Sequence, residues 1–161
     1  MPRLRTSPWF DDQALQAAEF YVSVIGSGIE SVIHDVGGNP HTAGPGTVLQ
    51  VEFHLGDMHL TAINGGPVFT FSEATSIVLE CATQEEADRY WAALTEGGAE
   101  APCGWCTDRY GFSWQVVPME CLTYLGHADP AVAKRAVEAM LTMTRLDVAA
   151  MRDAALGGAT D

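Results

Sequence analysis

Between positions 48 and 64 the chain alternates apolar and polar side chains on either side of Gly56-Asp57. A period of two marks half-buried strands, and a two-residue Gly-Asp connection predicts a β-hairpin over residues 48–55 and 58–64. With that turn, Leu55 opposes Met58 and His54 opposes His59. One face then carries Leu49, Val51, Phe53, Leu55, Met58, Leu60 and Ala62, and should meet a helix. The other carries Gln50, Glu52, His54, His59 and Thr61, and faces either solvent or a ligand cavity.

The period changes to three and four over residues 13–24, where Ala14, Ala17, Ala18, Tyr21 and Val24 share one side. Asp12 is the expected N-cap of this helix, and Gly26-Ser27-Gly28 stops it. A strand follows over residues 29–36, then a loop dense in breakers over 37–46. A second helix, residues 84–95, buries Ala87, Tyr90, Trp91 and Leu94 and ends at Gly97-Gly98. Strands are expected at 75–81 and 112–117; in the latter Phe112, Trp114 and Val116 alternate with Ser113, Gln115 and Val117, and Pro118 closes it. In the tail, Asp129-Pro130 sets a cap before a proline at the first helical position, and Val132, Ala136, Val137, Met140 and Leu141 follow with helical spacing. Asp147 caps a last helix through Leu156. Such apolar helices must cover something, either their own sheet or a partner's.

These elements repeat. Residues 72–118 read as a shortened copy of residues 7–66, each a strand, a polar step, a helix, a glycine and further strands. Sliding by 70 positions matches Ala17 with Ala87, Phe20 with Tyr90, Tyr21 with Trp91, Val24 with Leu94 and Gly28 with Gly98. A duplicated unit of this kind builds a curved sheet with a cleft between copies, where function is expected. The organisation read from the sequence is therefore two modules, 1–67 and 68–118, followed by a helical extension over 119–161.

The formal net charge of -13 argues against nucleic acid and anionic membranes, both of which need a basic surface. No stretch reaches the ~18 apolar residues of a membrane span, and Met1-Pro2-Arg3-Leu4-Arg5 lacks the apolar core of a signal peptide, so a cytoplasmic location is expected. Cys103-Gly104-Trp105-Cys106 has CxxC spacing. A redox motif needs its first cysteine at a helix N-terminus, whereas Pro102 and the following residues read as strand and turn. A zinc site needs a second ligand pair, which Cys81 and Cys121 do not form, so small-residue packing is the expected role.

Trp9-Phe10-Asp11-Asp12-Gln13, Phe20-Tyr21-Val22-Ser23-Val24 and Ala62-Ile63-Asn64-Gly65-Gly66-Pro67 resemble segments of the PhnB-like proteins, as do Cys103-Gly104-Trp105, Gly111-Phe112-Ser113-Trp114-Gln115-Val116-Val117-Pro118 and the tail over 136–146. Those proteins belong to the glyoxalase, bleomycin-resistance and extradiol-dioxygenase superfamily, also called the vicinal oxygen chelate (VOC) superfamily. The resemblance spans residues 5–151. It implies an α+β fold of paired βαβββ modules forming a cupped mixed sheet, and a homodimer formed with the help of the C-terminal helices. Some relatives carry a methyltransferase label linked to ubiquinone synthesis, but this chain has no glycine-rich S-adenosylmethionine loop.

The superfamily's metal enzymes place a His or Glu at each of four strand positions, and the resemblance carries these onto Thr6, Thr61, Ser76 and Gln115. None is a usual metal ligand. The expectation is therefore no cofactor and no metal, with a small organic molecule bound by Thr6, Phe10, Thr61, Asn64, Ser76, Trp114 and Gln115. The alternative is a divalent metal held by His54, His59 and Glu52 in a lyase, isomerase or dioxygenase-type enzyme; the plainer view puts both histidines at the solvent end of the hairpin. Catalytic candidates are Gln115 and Glu80, the latter a usable base if buried in the cleft and otherwise a rim carboxylate. Trp9, Trp105 and Trp114 could stack on an aromatic ligand or belong to the core.

Overall fold

The computed structural model describes Pro2 and residues 4–157. Its elements are β1 (Trp9–Phe10), α1 (Ala14–Ile25), β2 (Gly28–His34), β3 (Val48–Leu55), β4 (Met58–Asn64), β5 (Ile77–Cys81), α2 (Gln84–Thr95), β6 (Ala99–Glu100), β7 (Trp105–Thr107), β8 (Ser113–Pro118), α3 (Met119–Leu125), α4 (Pro130–Met140) and α5 (Val148–Leu156). The strands make two four-stranded sheets of matching order, β1-β4-β3-β2 and β5-β8-β7-β6. In each, the first strand runs parallel to the last and the other pairs are antiparallel. The fold is α+β, built from two βαβββ modules, and the duplication seen in the sequence is a duplication of topology.

The chain divides into two compact units, one ending at Phe71 and one beginning at Ser72. In the first, the hairpin has the expected register, with Leu55 opposite Met58 and His54 opposite His59. Val51, Phe53, Leu55, Leu60 and Ala62 are buried, as are Ala14, Ala17, Ala18 and Tyr21 of α1, which packs on β3 and β4. Met58, expected on the apolar face, is exposed at the hairpin tip.

Helix α1 does not use Asp12 as its cap. Gln13 holds the N-cap position without a side-chain bond, and the Ala14 N–H donates to Asn64 Oδ1 at 2.8 Å. A residue fifty positions away satisfies the donor that a local acid was expected to take. Helix α2 is capped locally: Thr83 Oγ1 accepts from the Glu86 N–H at 3.1 Å and Glu86 Oε2 accepts from the Ala82 N–H at 2.8 Å.

The tail covers its own unit. Cys121, Val132, Ala136, Leu146, Met151 and Ala155 form a core with Val117 of β8. The Cys103 and Gly104 N–H groups donate to Met143 O and Thr144 O at 2.8 and 2.7 Å. Gln84 clamps the same segment, donating to Leu146 O at 3.0 Å and accepting from the Val148 N–H at 2.8 Å. Gly104, at φ +82°, has no room for a side chain: a Cβ would lie 2.9 Å from both Leu146 Cγ and Val116 O. Asp129 and Asp147 cap α4 and α5 as expected, at 2.8 Å each. The short elements α3, β6 and β7 carry too few residues for periodicity to reveal. Among the described residues no helix is long and apolar enough to cross a membrane.

Candidate functional site

Strand alternation gives each sheet one face under its helix and one open face. In the first unit the open face carries Gln50, Glu52, His54, His59 and Thr61, all only partly buried, as the hairpin pattern requires. In the second, register places Val78, Glu80, Trp105, Ser113, Gln115 and Val117 together, opposite Trp114, Val116 and Cys106; the tail core covers Val117 and Ser113 is buried, while Val78 and Glu80 are exposed.

The open faces share one construction. Gln115 Nε2 donates to Ser76 Oγ at 2.8 Å, joining β8 to the residue that leads into β5 in the second sheet. In the first sheet the corresponding link is Arg5 Nη1 to Thr61 Oγ1, at 3.4 Å. Arg5 is the true counterpart of Ser76 because Phe10 pairs with Asn64, the last residue of β4, as Cys81 pairs with Pro118, the last residue of β8. Arg5 and Ser76 each stand five residues before those strand ends, and Thr61 and Gln115 three.

Thr6 is therefore corrected. It bridges Leu60, donates its N–H to His59 O at 3.3 Å and accepts from the Thr61 N–H at 2.9 Å. Its side chain is exposed on the Leu60 side of the strand, away from Thr61. The helices align at 70 positions but the first strands at 71, since Asp11-Asp12-Gln13 connects β1 to α1 where Ala82-Thr83 connects β5 to α2. A slip of one residue moves a side chain to the opposite face.

Three other expected ligand contacts belong to the helix side. Phe10 is buried against the Phe71 ring, centroids 5.1 Å apart. Asn64 uses both ends of its amide, accepting from Ala14 and donating to Val48 O at 3.0 Å. Trp114 is fully buried, and its Nε1–H donates to Asp108 Oδ2 at 2.8 Å. The tryptophans on the open faces are instead Trp9 and Trp105, each partly buried. Trp9 is fixed by its Nε1–H to Gly66 O at 2.9 Å and lies so close to Gly65 that a Cβ there would come within 2.0 Å of the indole. Thr61, Ser76 and Gln115 stay on the open faces. So does Ser113, whose hydroxyl is in a residue 1% exposed and has no hydrogen-bond partner among the described residues.

Glu80 shares the Gln115 face but is exposed, which removes the burial that would make it a base. The metal alternative is corrected too. Glu52 is engaged by Arg5 and accepts from Ser31 Oγ at 3.3 Å and Gln50 Nε2 at 3.4 Å. The carboxylate beside the histidines is Glu30, whose Oε1 lies 3.1 Å from His59 Nδ1 and 3.5 Å from His54 Nδ1. A register shift between Ile29 and Ser31 frees Glu30 from regular alternation and aims it there. Among the described residues no three His, Cys, Asp or Glu side chains are placed to hold a metal ion. Arg5, Thr61, Ser76 and Gln115 together offer two hydroxyls, an amide and a positive charge. That donor set does not fit a divalent cation.

Three of the four cysteines, Cys81, Cys106 and Cys121, are buried. Burial pushes the Cys106 thiol up to about 12, and Cys81 and Cys121 to about 11 each. Cys103 is partly exposed, in a left-handed conformation at φ +63°.

The first unit also has an open cavity of about 650 Å³, bordered by Asp11, Leu15, His41, Thr42, Asn64 and Pro67. Its wall is held by Asp35, whose carboxylate accepts from the Thr42 hydroxyl and, at 2.8 Å, from the Gly37 N–H. Those bonds, the Thr42 hydroxyl first, hold the Asp35 carboxyl below its ordinary range. Periodicity gave no sign of this hollow, because a loop makes it.

Residues 2–117 match the sequence model of a family described as 3-demethylubiquinone-9 3-methyltransferase. Among solved structures the chain is similar to the PhnB protein from Bacillus cereus, at 29% identity and TM-score 0.65, covering 73% of this chain and 99% of that one. It shares its fold with protein PA1353 from Pseudomonas aeruginosa, at 22% identity and TM-score 0.57, covering 70% and 95% of the two chains. The fosfomycin resistance protein FosX from Mesorhizobium loti is similar at 13% identity and TM-score 0.49, over 70% of this chain and 87% of that one. No curated protein matches the chain.

Proposed function

Since the chain belongs to the PhnB-like family described as 3-demethylubiquinone-9 3-methyltransferase, in the VOC superfamily, we propose that it binds a small organic molecule on the open face of a sheet, within one unit, without a metal ion. The observation that carries this reading is the repeated link to the last strand, Arg5 to Thr61 and Ser76 to Gln115. At both places the side chains are hydrogen-bonding groups suited to an organic ligand rather than a cation. Ser113 adds support, since a buried hydroxyl without a partner is costly and is satisfied by a ligand or an ordered water. Trp9 and Trp105 supply flat apolar surface beside the polar groups.

Methyl transfer is not the reading drawn from the family's description. Neither connection from first strand to helix, Asp11-Asp12-Gln13 or Ala82-Thr83, contains a glycine, and neither sheet is the parallel, doubly wound kind that holds a nucleotide-derived cofactor. Sequestration of the ligand is the simplest activity these groups support, because Gln115 carries no titrating proton and Glu80 stands in solvent.

The test is thermal melting of the purified protein against a panel of aromatic and heteroaromatic compounds, with and without a chelator, beside mass spectrometry of whatever co-purifies. A rise in melting temperature for one compound class, unchanged by chelator and lost in Thr61→Ala or in Gln115→Ala according to the unit that holds it, is expected. Binding that disappears with chelator and returns with zinc or manganese would refute the metal-free reading. Assembly as a homodimer belongs to the same proposal, supported by the exposed apolar side chains of Met119, Leu122, Val137 and Leu141 on the tail. Sedimentation at micromolar concentration should give twice the chain mass.

A further inference from the structure

We infer that Arg5 is the recognition group for an oxyanion on that ligand, so that the molecule bound is a small monocarboxylic acid. This deepens the small-molecule reading above and rests on it. The Arg5 side chain is only 23% exposed, on the open face of the first sheet. Its described hydrogen bonds both leave from Nη1, to Glu52 Oε1 and Thr61 Oγ1. Nε and Nη2, the two donors along the other edge of the guanidinium, have no partner among the described residues. That unbonded edge is open to solvent, and its two donors have the two-pronged geometry that matches a carboxylate.

Glu52 holds the fork in place. Its Oε1 takes Arg5 and Gln50, and its Oε2 takes Ser31, so it is tied to its own sheet and bonds Arg5 only through Nη1, leaving the outer edge of Arg5 for another acceptor. The Thr61 hydroxyl, accepting from Arg5, still has a proton to donate toward the same place. The second unit puts an uncharged pair, Ser76 and Gln115, at the equivalent position. The charge is thus particular to the first unit rather than a requirement of the fold. The whole chain carries a formal charge of -13 and Glu52 already pairs with Arg5, so polyanions are repelled and a singly charged acid is the class this arginine can hold.

The probes are benzoate and its uncharged isostere benzamide, titrated into the ¹⁵N-labelled full chain while the arginine Nε–H signals are followed, with Arg5→Lys to assign the Arg5 signal. Benzoate should move that signal and bind about 10- to 100-fold more tightly than benzamide, the worth of one charge-assisted hydrogen bond. In Arg5→Lys, which keeps the charge but loses the fork, benzoate should fall to the benzamide level while benzamide is unchanged. Equal affinity for the two probes, or an Arg5 signal that benzoate leaves in place, overturns the inference without any variant. Benzamide moving Thr61, Ser76 or Gln115 in that event leaves the small-molecule reading standing. Should neither probe move these residues, the compound panel and the co-purified molecule decide that reading separately.

Discussion

Arg5 and Thr6 are chain neighbours that lie on opposite sides of one strand, and the chemistry of the first unit turns on which of them faces Thr61. A threonine there would complete a neutral wall; an arginine brings a charge, a fork of donors and the need for Glu52. The cysteines show the same sensitivity to position. Three thiols are raised by burial to about 11, 12 and 11, while Cys103 of the same CxxC motif is partly exposed. A thiol reagent at pH 8 should therefore modify one cysteine in the native protein and four after denaturation, and Cys103→Ser should abolish the native reaction. The buried thiols also set an alkaline limit. Their ordinary value is 9.0, so stability from keeping them neutral is complete below that pH and declines as pH rises from 9.0 toward about 12. Replacing Cys106 with alanine should flatten the loss of melting temperature between those limits.

At the scale of elements, what matters is which partner satisfies a helix end or a loop. Asn64 caps α1 from β4 while also bonding β3, so Asn64→Ala should cost about 2–3 kcal/mol, a buried cap and a second, part-buried hydrogen bond. Asp12→Ala, at the position the local pattern favoured, should stay within about 0.5 kcal/mol in urea unfolding. Reversed magnitudes would show that Asp12 is the cap after all. The loop bordering the 650 Å³ cavity depends in the same way on Asp35. Its carboxyl is held below 3.8, so its contribution is intact above that pH and is lost as pH falls through the lowered value. Amide exchange at Gly37 should quicken in Asp35→Asn at neutral pH, with the sheet amides unaffected.

At the scale of the molecule, the tail decides where one unit ends. Because Val117, Cys121, Ala136, Leu146 and Met151 share a core and Gln84 clamps the segment after α4, removing residues 119–161 should unfold the second unit rather than merely separate two subunits. Loss of exchange protection in β5 and β8, with β3 and β4 still protected, would mark that outcome; a truncated chain with both sheets protected would contradict it. Much of this architecture could be read along the chain. The hairpin, α1, α2, α4 and α5 announce themselves by spacings of two, three and four, and the duplicated topology by the match of one helix to the other, because these signals lie within about a dozen residues and depend on local geometry. The places of Thr6, Thr61, Ser76 and Gln115 come instead from the resemblance to the PhnB-like proteins, which carries strand positions across without fixing the face that each side chain takes. Only tertiary structure could decide that Arg5 rather than Thr6 joins Thr61, that Asn64 caps α1, that Glu30 rather than Glu52 meets the histidines, and that the tail closes its own unit. Each of those outcomes depends on a pairing between distant segments, where one extra connecting residue or one bulge inverts a side chain, and nothing in local spacing records it.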